Sequence, residues 1–288
     1  GVFATWNAAF FPAGDVLLLF VVVGVVLFLT RSWSDRAIGV AAVVLLLQPV
    51  EWYHYIANLI NPAHRLPDLK VAEMYGEVAD YTKAGNWRDF LLGNVTLGQK
   101  ASFLWAVNAG RFVQTAGLFL LGFFIGRKQL FMTNEKNIVF WTKVLIISAI
   151  SFAPLYTLKE LVMENDPIVQ QTVGTAFDMW QKLAFTLVLV ASFILLYQHK
   201  NFSKAVAGLR FYGKMSLTNY ISQSIIGAFI YFPIGLNLAP YCGYTLSLSV
   251  GFLIFLLQLK FCKWWLARHK QGPLEYIWHK CTWIGTGK

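Results

Sequence analysis

Val16–Leu29 reads VLLLFVVVGVVLFL, fourteen residues in a row without a charged or amide side chain. The bilayer hydrocarbon is about 30 Å thick and a helix rises about 1.5 Å per residue, so a crossing needs roughly 20 mostly apolar residues. With its neighbours the run covers 11–30 and reaches that length. It is continuous rather than alternating, which is the pattern of a lipid-facing helix and not of a barrel strand.

Six further apolar runs follow, near 37–58, 107–126, 138–158, 176–198, 215–234 and 244–265. Hydrophobic residues make up 57% of the 288-residue chain and charged residues 13%, too few to coat a water-soluble globule of this size. The sequence predicts an all-α polytopic membrane bundle of about seven transmembrane helices.

Loop charge predicts the sidedness. Arg31 and Arg36 follow the first run, Arg127, Lys128, Lys136 and Lys143 the third, and Lys200, Lys204, Arg210 and Lys214 the fifth. With Lys260, Lys263, Arg268, Lys270, Lys280 and Lys288 they make sixteen bases against three acids, while the opposite set holds eight bases and nine acids. Basic loops stay in the cytoplasm. The expectation is a multi-pass membrane protein with its C-terminus in the cytoplasm. The net charge of +10 is then a topology signal, and dispersed bases give no nucleic-acid face. The partner so implied is the lipid bilayer.

Residues 1–58 carry the first two runs, 59–106 a polar insertion on the outer side, and 107–288 the remaining five runs and a polar tail. Within the insertion Val71, Met74, Tyr75, Val78 and Tyr81 recur at helical spacing, which predicts an amphipathic helix. Asn94-Val95-Thr96 fits a glycosylation sequon, a triplet too common to carry weight. Cys242, Cys262 and Cys281 lack metal or redox spacing and read as unpaired thiols. No HExxH, GxSxG or paired CxxC motif occurs. The chain starts at Gly1 and enters a span almost at once, as expected of a fragment lacking upstream helices.

Ionisable groups inside spans are costly and therefore candidate sites. One group is Asp15, Glu51 with His54, and Arg111 with Gln114. Glu51, His54 and Tyr55 share a helix face at i, i+3 and i+4, as do Arg111, Gln114 and Thr115. A carboxylate that orients a histidine makes a general base. Pairing of Glu51 or Asp15 with Arg111 for charge balance alone is the competing reading. A second group is Ser216, Asn219 and Gln223 with Gln258, amides suited either to interhelical hydrogen bonds or to substrate. The basic stretch Lys200–Lys214 suits a phosphorylated donor such as an acyl-coenzyme A, or only positive-inside charge.

Gly213-Lys214-Met215-Ser216-Leu217-Thr218-Asn219-Tyr220, then Gln223-Ser224, resembles the G-[RK]-M-S-L-T-N-Y-x-x-Q-S motif of the bacterial YeiB-like family (domain of unknown function 418). Gln258, Trp264-Trp265-Leu266, Gly272-Pro273-Leu274-Glu275-Tyr276-Ile277-Trp278 and Thr282 are similar to its ending. Gly14-Asp15-Val16-Leu17 and Gly110-Arg111-Phe112 with Gln114-Thr115 are similar to two upstream segments. The resemblance implies a helical organisation similar to membrane acyltransferases that modify extracytoplasmic sugars, in a family also described as transport-related. Full-length members begin with further helices.

Three functions follow as expectations. In the first, an acyl group passes from a cytoplasmic donor, an acyl-CoA, to an extracytoplasmic small-molecule or glycan acceptor. Glu51, His54 and Asp15 would be catalytic there, and Arg111, Gln114, Asn219 and Gln223 substrate-binding, with no metal. The second is a permease for a small solute, favoured by Pro49, Pro154 and Pro233 inside spans. The third is a scaffold presenting 59–106 to a partner.

Overall fold

The computed structural model describes residues 2–11 and 15–284, and every described element is helical. Helices α1 (Val2–Phe10), α2 (Leu17–Thr30), α3 (Asp35–Leu46) and α4 (Pro49–Ile60) come first. Then follow α5 (Val71–Lys83), α6 (Trp87–Gly93), α7 (Gln99–Asn108) and α8 (Arg111–Arg127). Next are α9 (Glu135–Met163), α10 (Pro167–Val169), α11 (Thr175–Leu196) and α12 (Lys200–Val206). Helices α13 (Leu209–Lys214), α14 (Ser216–Tyr231), α15 (Tyr244–Leu266) and α16 (Pro273–Thr282) complete the series. Single π-helical turns at Asn94–Gly98 and Gln170–Gly174 join α6 to α7 and α10 to α11.

Among the described residues three helices are long and apolar enough to cross a membrane: Glu135–Met163, Pro167–Leu196 and Tyr244–Leu266. Two bent pairs raise this to five if each pair is one span. In one, α3 and α4 meet at 47°, and in the other Trp87–Asn108 meets α8 at 77°. The expected seven spans are therefore not all present as full-length helices. The first run contributes 14 helical residues and α14 only 16, both short of a crossing. The second run breaks where Gln48 takes a left-handed conformation ahead of Pro49, whose missing N–H suits a helix start. The third is the second limb of a helix that begins twenty residues earlier, at Trp87, and turns at Gly110. Only 11% of the apolar window of Glu135–Met163 is buried, and the same holds for Tyr244–Leu266. Surfaces so apolar and so uncovered suit lipid, and the chain is a helical membrane protein.

The contacts divide the chain into two compact units. The first comprises 1–15, 72–102 and 203–288. Its core joins Phe90, Ala228 and Ile234 to Phe10, Leu91 and Phe232. Buried Asn94 ties this unit together: its amide donates to the Ala9 carbonyl at 2.9 Å and accepts from the Tyr81 hydroxyl at 2.8 Å. The sequon residue is thus a structural amide with no exposed nitrogen to glycosylate. The predicted amphipathic helix is α5, with Met74, Val78 and Thr82 buried.

The second unit comprises 16–71 and 103–202. Helices α9 and α11 pair along their length around Ile125, Trp141 and Ala191, and the Trp141 indole donates to the Leu130 carbonyl at 2.8 Å. Helices α3 and α8 pack through Ile38, Ala42 and Leu120. Gly39 lies against the Phe124 ring, and Gly117 leaves the room that the Leu46 and Leu45 side chains occupy. Leu19 and Val23 of α2 join Ala106 and Ala116.

Candidate functional site

Two helix interruptions meet in the second unit. Gln48, at φ 59°, separates α3 from α4, and Gly110, at φ 62°, separates α7 from α8. A Cβ built on Gly110 would run into Glu51 Oε1 and lie 3.7 Å from Gln48 Oε1. Only glycine adopts that backbone conformation freely, and here it must also leave room for a carboxylate. The N-terminus of α4 and that of α8 both open at this point, and neither has a side-chain cap. On the other side of the α3–α4 break the Trp180 indole donates to the Leu46 carbonyl at 2.8 Å, which satisfies one end of the interrupted ladder.

The polar side chains at the junction are buried but incompletely matched. Gln48 has no exposed surface, and Glu51 is 7% exposed. Both amide atoms of Gln48, Glu51 Oε2 and Arg111 Nε have no hydrogen-bond partner among the described residues. Arg111 Nη1 donates to Gln114 Oε1 at 2.9 Å and points to Met179 Sδ at 3.7 Å, and its guanidinium lies 5.4 Å from the Trp105 ring centroid. Among the described residues no ion pair joins Glu51 to Arg111. Buried polar atoms are matched in folded proteins as a rule, so the unmatched Gln48 amide, Glu51 Oε2 and Arg111 Nε beside two helix N-termini single out this junction.

The remaining expected site residues have other partners. His54, one turn beyond Glu51 on α4, places Nδ1 3.0 Å from Nε2 of His64, with the rings stacked at 5.3 Å. Its ring partner is that second histidine, in the loop after α4, rather than the carboxylate expected from i, i+3 spacing. Asp15 belongs to the first unit, where the Asn7 amide donates to Oδ1 at 2.9 Å and the Ser102 hydroxyl to its carbonyl at 2.9 Å. Its motif neighbour Gly14 lies outside the described residues. The pairing of His54 with His64 had no signal in local spacing, and Gln48 carried only its position before Pro49.

Asn219 and Gln223 also lie in the first unit, on α14. The Asn219 amide donates to the Tyr212 carbonyl at 3.0 Å and touches Cys262 Sγ at 3.3 Å. Gln223 Nε2 reaches the Tyr212 hydroxyl at 2.6 Å and Gln258 Oε1 at 2.9 Å. Gln258 returns to the Asn219 carbonyl and the Ser222 hydroxyl at 3.2 and 2.8 Å. Burial pushes the Tyr212 phenol above its ordinary range, with the Cys262 thiol adding and the Gln223 bond opposing. Beside this network, Glu275 of α16 accepts from Thr218 N at 3.0 Å and from the Thr218 hydroxyl, which in turn accepts from Leu274 N at 3.2 Å. Helices α14 and α16 have no side-chain cap of their own, so each caps the other. The two C-terminal motifs meet in this contact.

A family model described as "Protein of unknown function (DUF418)" matches residues 125–285, more than half of the chain. The chain belongs to the DUF418 family. The matched region holds the α14–α16 network of the DUF418 chain, and the Gln48–Glu51–Arg111 junction precedes it. Among curated proteins it is 25% identical over 95 residues to "Uncharacterized protein YxaH" of Bacillus subtilis (strain 168), covering 33% of this chain and 24% of that protein. It is 37% identical over 91 residues to an "Uncharacterized 39.9 kDa protein in amylase 3'region" of Bacillus acidopullulyticus, 31% of this chain and 25% of that one. The alignments thus span about a quarter of either relative's length. No solved structure matches.

Proposed function

We propose that this chain supplies the polar site of a bacterial inner-membrane permease that carries a small anionic solute, with its basic loops and C-terminus in the cytoplasm. The single observation behind the reading is the meeting of two helix breaks at buried Gln48 and Glu51 and half-buried Arg111, each with at least one polar atom unmatched among the described residues. Irregular backbone is tolerated at membrane depth where it is buried in protein or lines a cavity, and half-helix N-termini attract anions there. Arg111, held by Gln114, and the Gln48 amide bind the solute, and Glu51, packed against Gly110, positions the bend between α7 and α8. The acyl-transfer expectation places Glu51 as a base at the same junction and needs an acyl-CoA donor and a glycan acceptor.

The test uses the full-length protein in proteoliposomes with a panel of carboxylates and phosphates. Counterflow of at least one anion is expected, slowed tenfold or more by Arg111→Gln and by Glu51→Gln in protein that still elutes as a single species. A charged hydrogen bond is worth about 1.5–3 kcal/mol, which sets that scale. Flux for no anion, or flux untouched by both substitutions, would remove the permease reading. Acyl transfer to a glycan acceptor without flux would replace it.

A further inference from the structure

An open pocket lies in the first unit. It is a groove of about 580 Å³ between α12, α13 and α15, lined by Lys204, Arg210 and Lys263 together with Phe211, Phe255 and Leu259. Among the described residues none of the three cations is in an ion pair. Lys263 extends over Gly208, where a Cβ would come within 3.2 Å of its Cε and Nζ. A side chain at 208 would crowd the end of Lys263 and make it shift. Lys263 also lies in the last turn of α15, one of the three apolar spans, so the groove stands at the level where that span ends.

From this placement we infer that the groove binds a phosphate-bearing anionic amphiphile. Three unpaired cations take the phosphate, and the aromatic and leucine wall takes the first apolar segment. Basic pockets at span ends hold anionic headgroups in this way, and each base near the surface adds to the attraction. Positive-inside charge alone explains the bases but not an apolar groove beside them. The phosphate has two possible sources, an anionic phospholipid of the leaflet or a soluble acyl-coenzyme A.

Native mass spectrometry of the delipidated full-length protein separates them, with dioleoylphosphatidylglycerol, dioleoylphosphatidylcholine, palmitoyl-coenzyme A and inorganic phosphate as probes. Saturable binding of the phosphatidylglycerol or the palmitoyl-coenzyme A is expected, at least tenfold tighter than phosphatidylcholine or inorganic phosphate. Whichever of the two binds names the source. The triple change Lys204→Gln, Arg210→Gln and Lys263→Gln should weaken that binding at least tenfold. Gly208→Leu, which keeps every charge and crowds Lys263 and the Leu259 wall, should do the same and stands in if the triple variant does not fold. Equal binding of phosphatidylcholine, equal binding of bare phosphate, or affinity unchanged in Gly208→Leu overturns the assignment.

Discussion

Gly110 shows how one residue type can be fixed by two independent demands. Its φ of 62° is the left-handed region, and the space its Cβ would take belongs to the Glu51 carboxylate. A side chain in that conformation costs about 1–2 kcal/mol before any steric term. Gly110→Ala should therefore lower the midpoint of thermal unfolding by several degrees and displace Glu51. A variant as stable as the parent would mean that the junction is laxer than its geometry implies. Tyr81 makes a pH prediction. Burial pushes its phenol up to about 12, and its hydroxyl donates to Asn94. Because the folded-state value lies above the unfolded one, near 10, this contribution is complete below pH 10 and disappears as pH rises through about 12. Tyr81→Phe should be less stable than the parent at pH 8 by about 1 kcal/mol, the worth of an ordinary hydrogen bond. That deficit should shrink steadily between pH 10 and 12. A constant gap, measured by chemical denaturation across the range, would contradict the burial argument.

Secondary structure was legible where a local cause acts. The helical spacing of Val71, Met74 and Val78 falls on α5, where Met74 and Val78 are buried. The long apolar helices α9, α11 and α15 follow the runs near 138–158, 176–198 and 244–265 for the same reason. Periodicity carried no sign that α3 and α4 would part at Gln48 or that α8 would continue a helix from Trp87. Those breaks depend on what the interrupted backbone meets across the unit. Likewise, α14 and α16 lack local caps, and their N-termini are satisfied by Glu275 and Thr218 across 57 residues. Caps are worth about 0.5–2 kcal/mol each. Thr218→Val and Glu275→Gln should each destabilise the first unit by about that much. The double variant should lose clearly less than the two losses added, since both remove one contact. Full additivity in denaturant unfolding would mean that the two residues act separately.

At the scale of the whole molecule, lipid exposure and sidedness are separate claims with separate physical supports. Exposure follows from helices such as Glu135–Met163, apolar over their length yet 11% buried, a surface that water would not tolerate. This much could be read from composition alone. The number of spans could not, because bent pairs and the short α2 and α14 leave it between three and five by length. Sidedness rests on loop charge. Sixteen bases fall on the set of loops that includes Lys200–Lys214, whereas acidic Glu73, Glu77 and Asp80 lie on α5, between the second and third apolar runs. If the basic set is cytoplasmic, single cysteines replacing Glu77 and Arg210 in a cysteine-free background should differ on intact cells. An impermeant maleimide should label position 77 at once and position 210 only after the membrane is opened. The reverse pattern would invert the topology and move the Lys204–Arg210–Lys263 groove to the outer leaflet. Equal labelling of both positions before lysis would mean that these two loops share a side, and that an odd number of crossings does not separate α5 from α13.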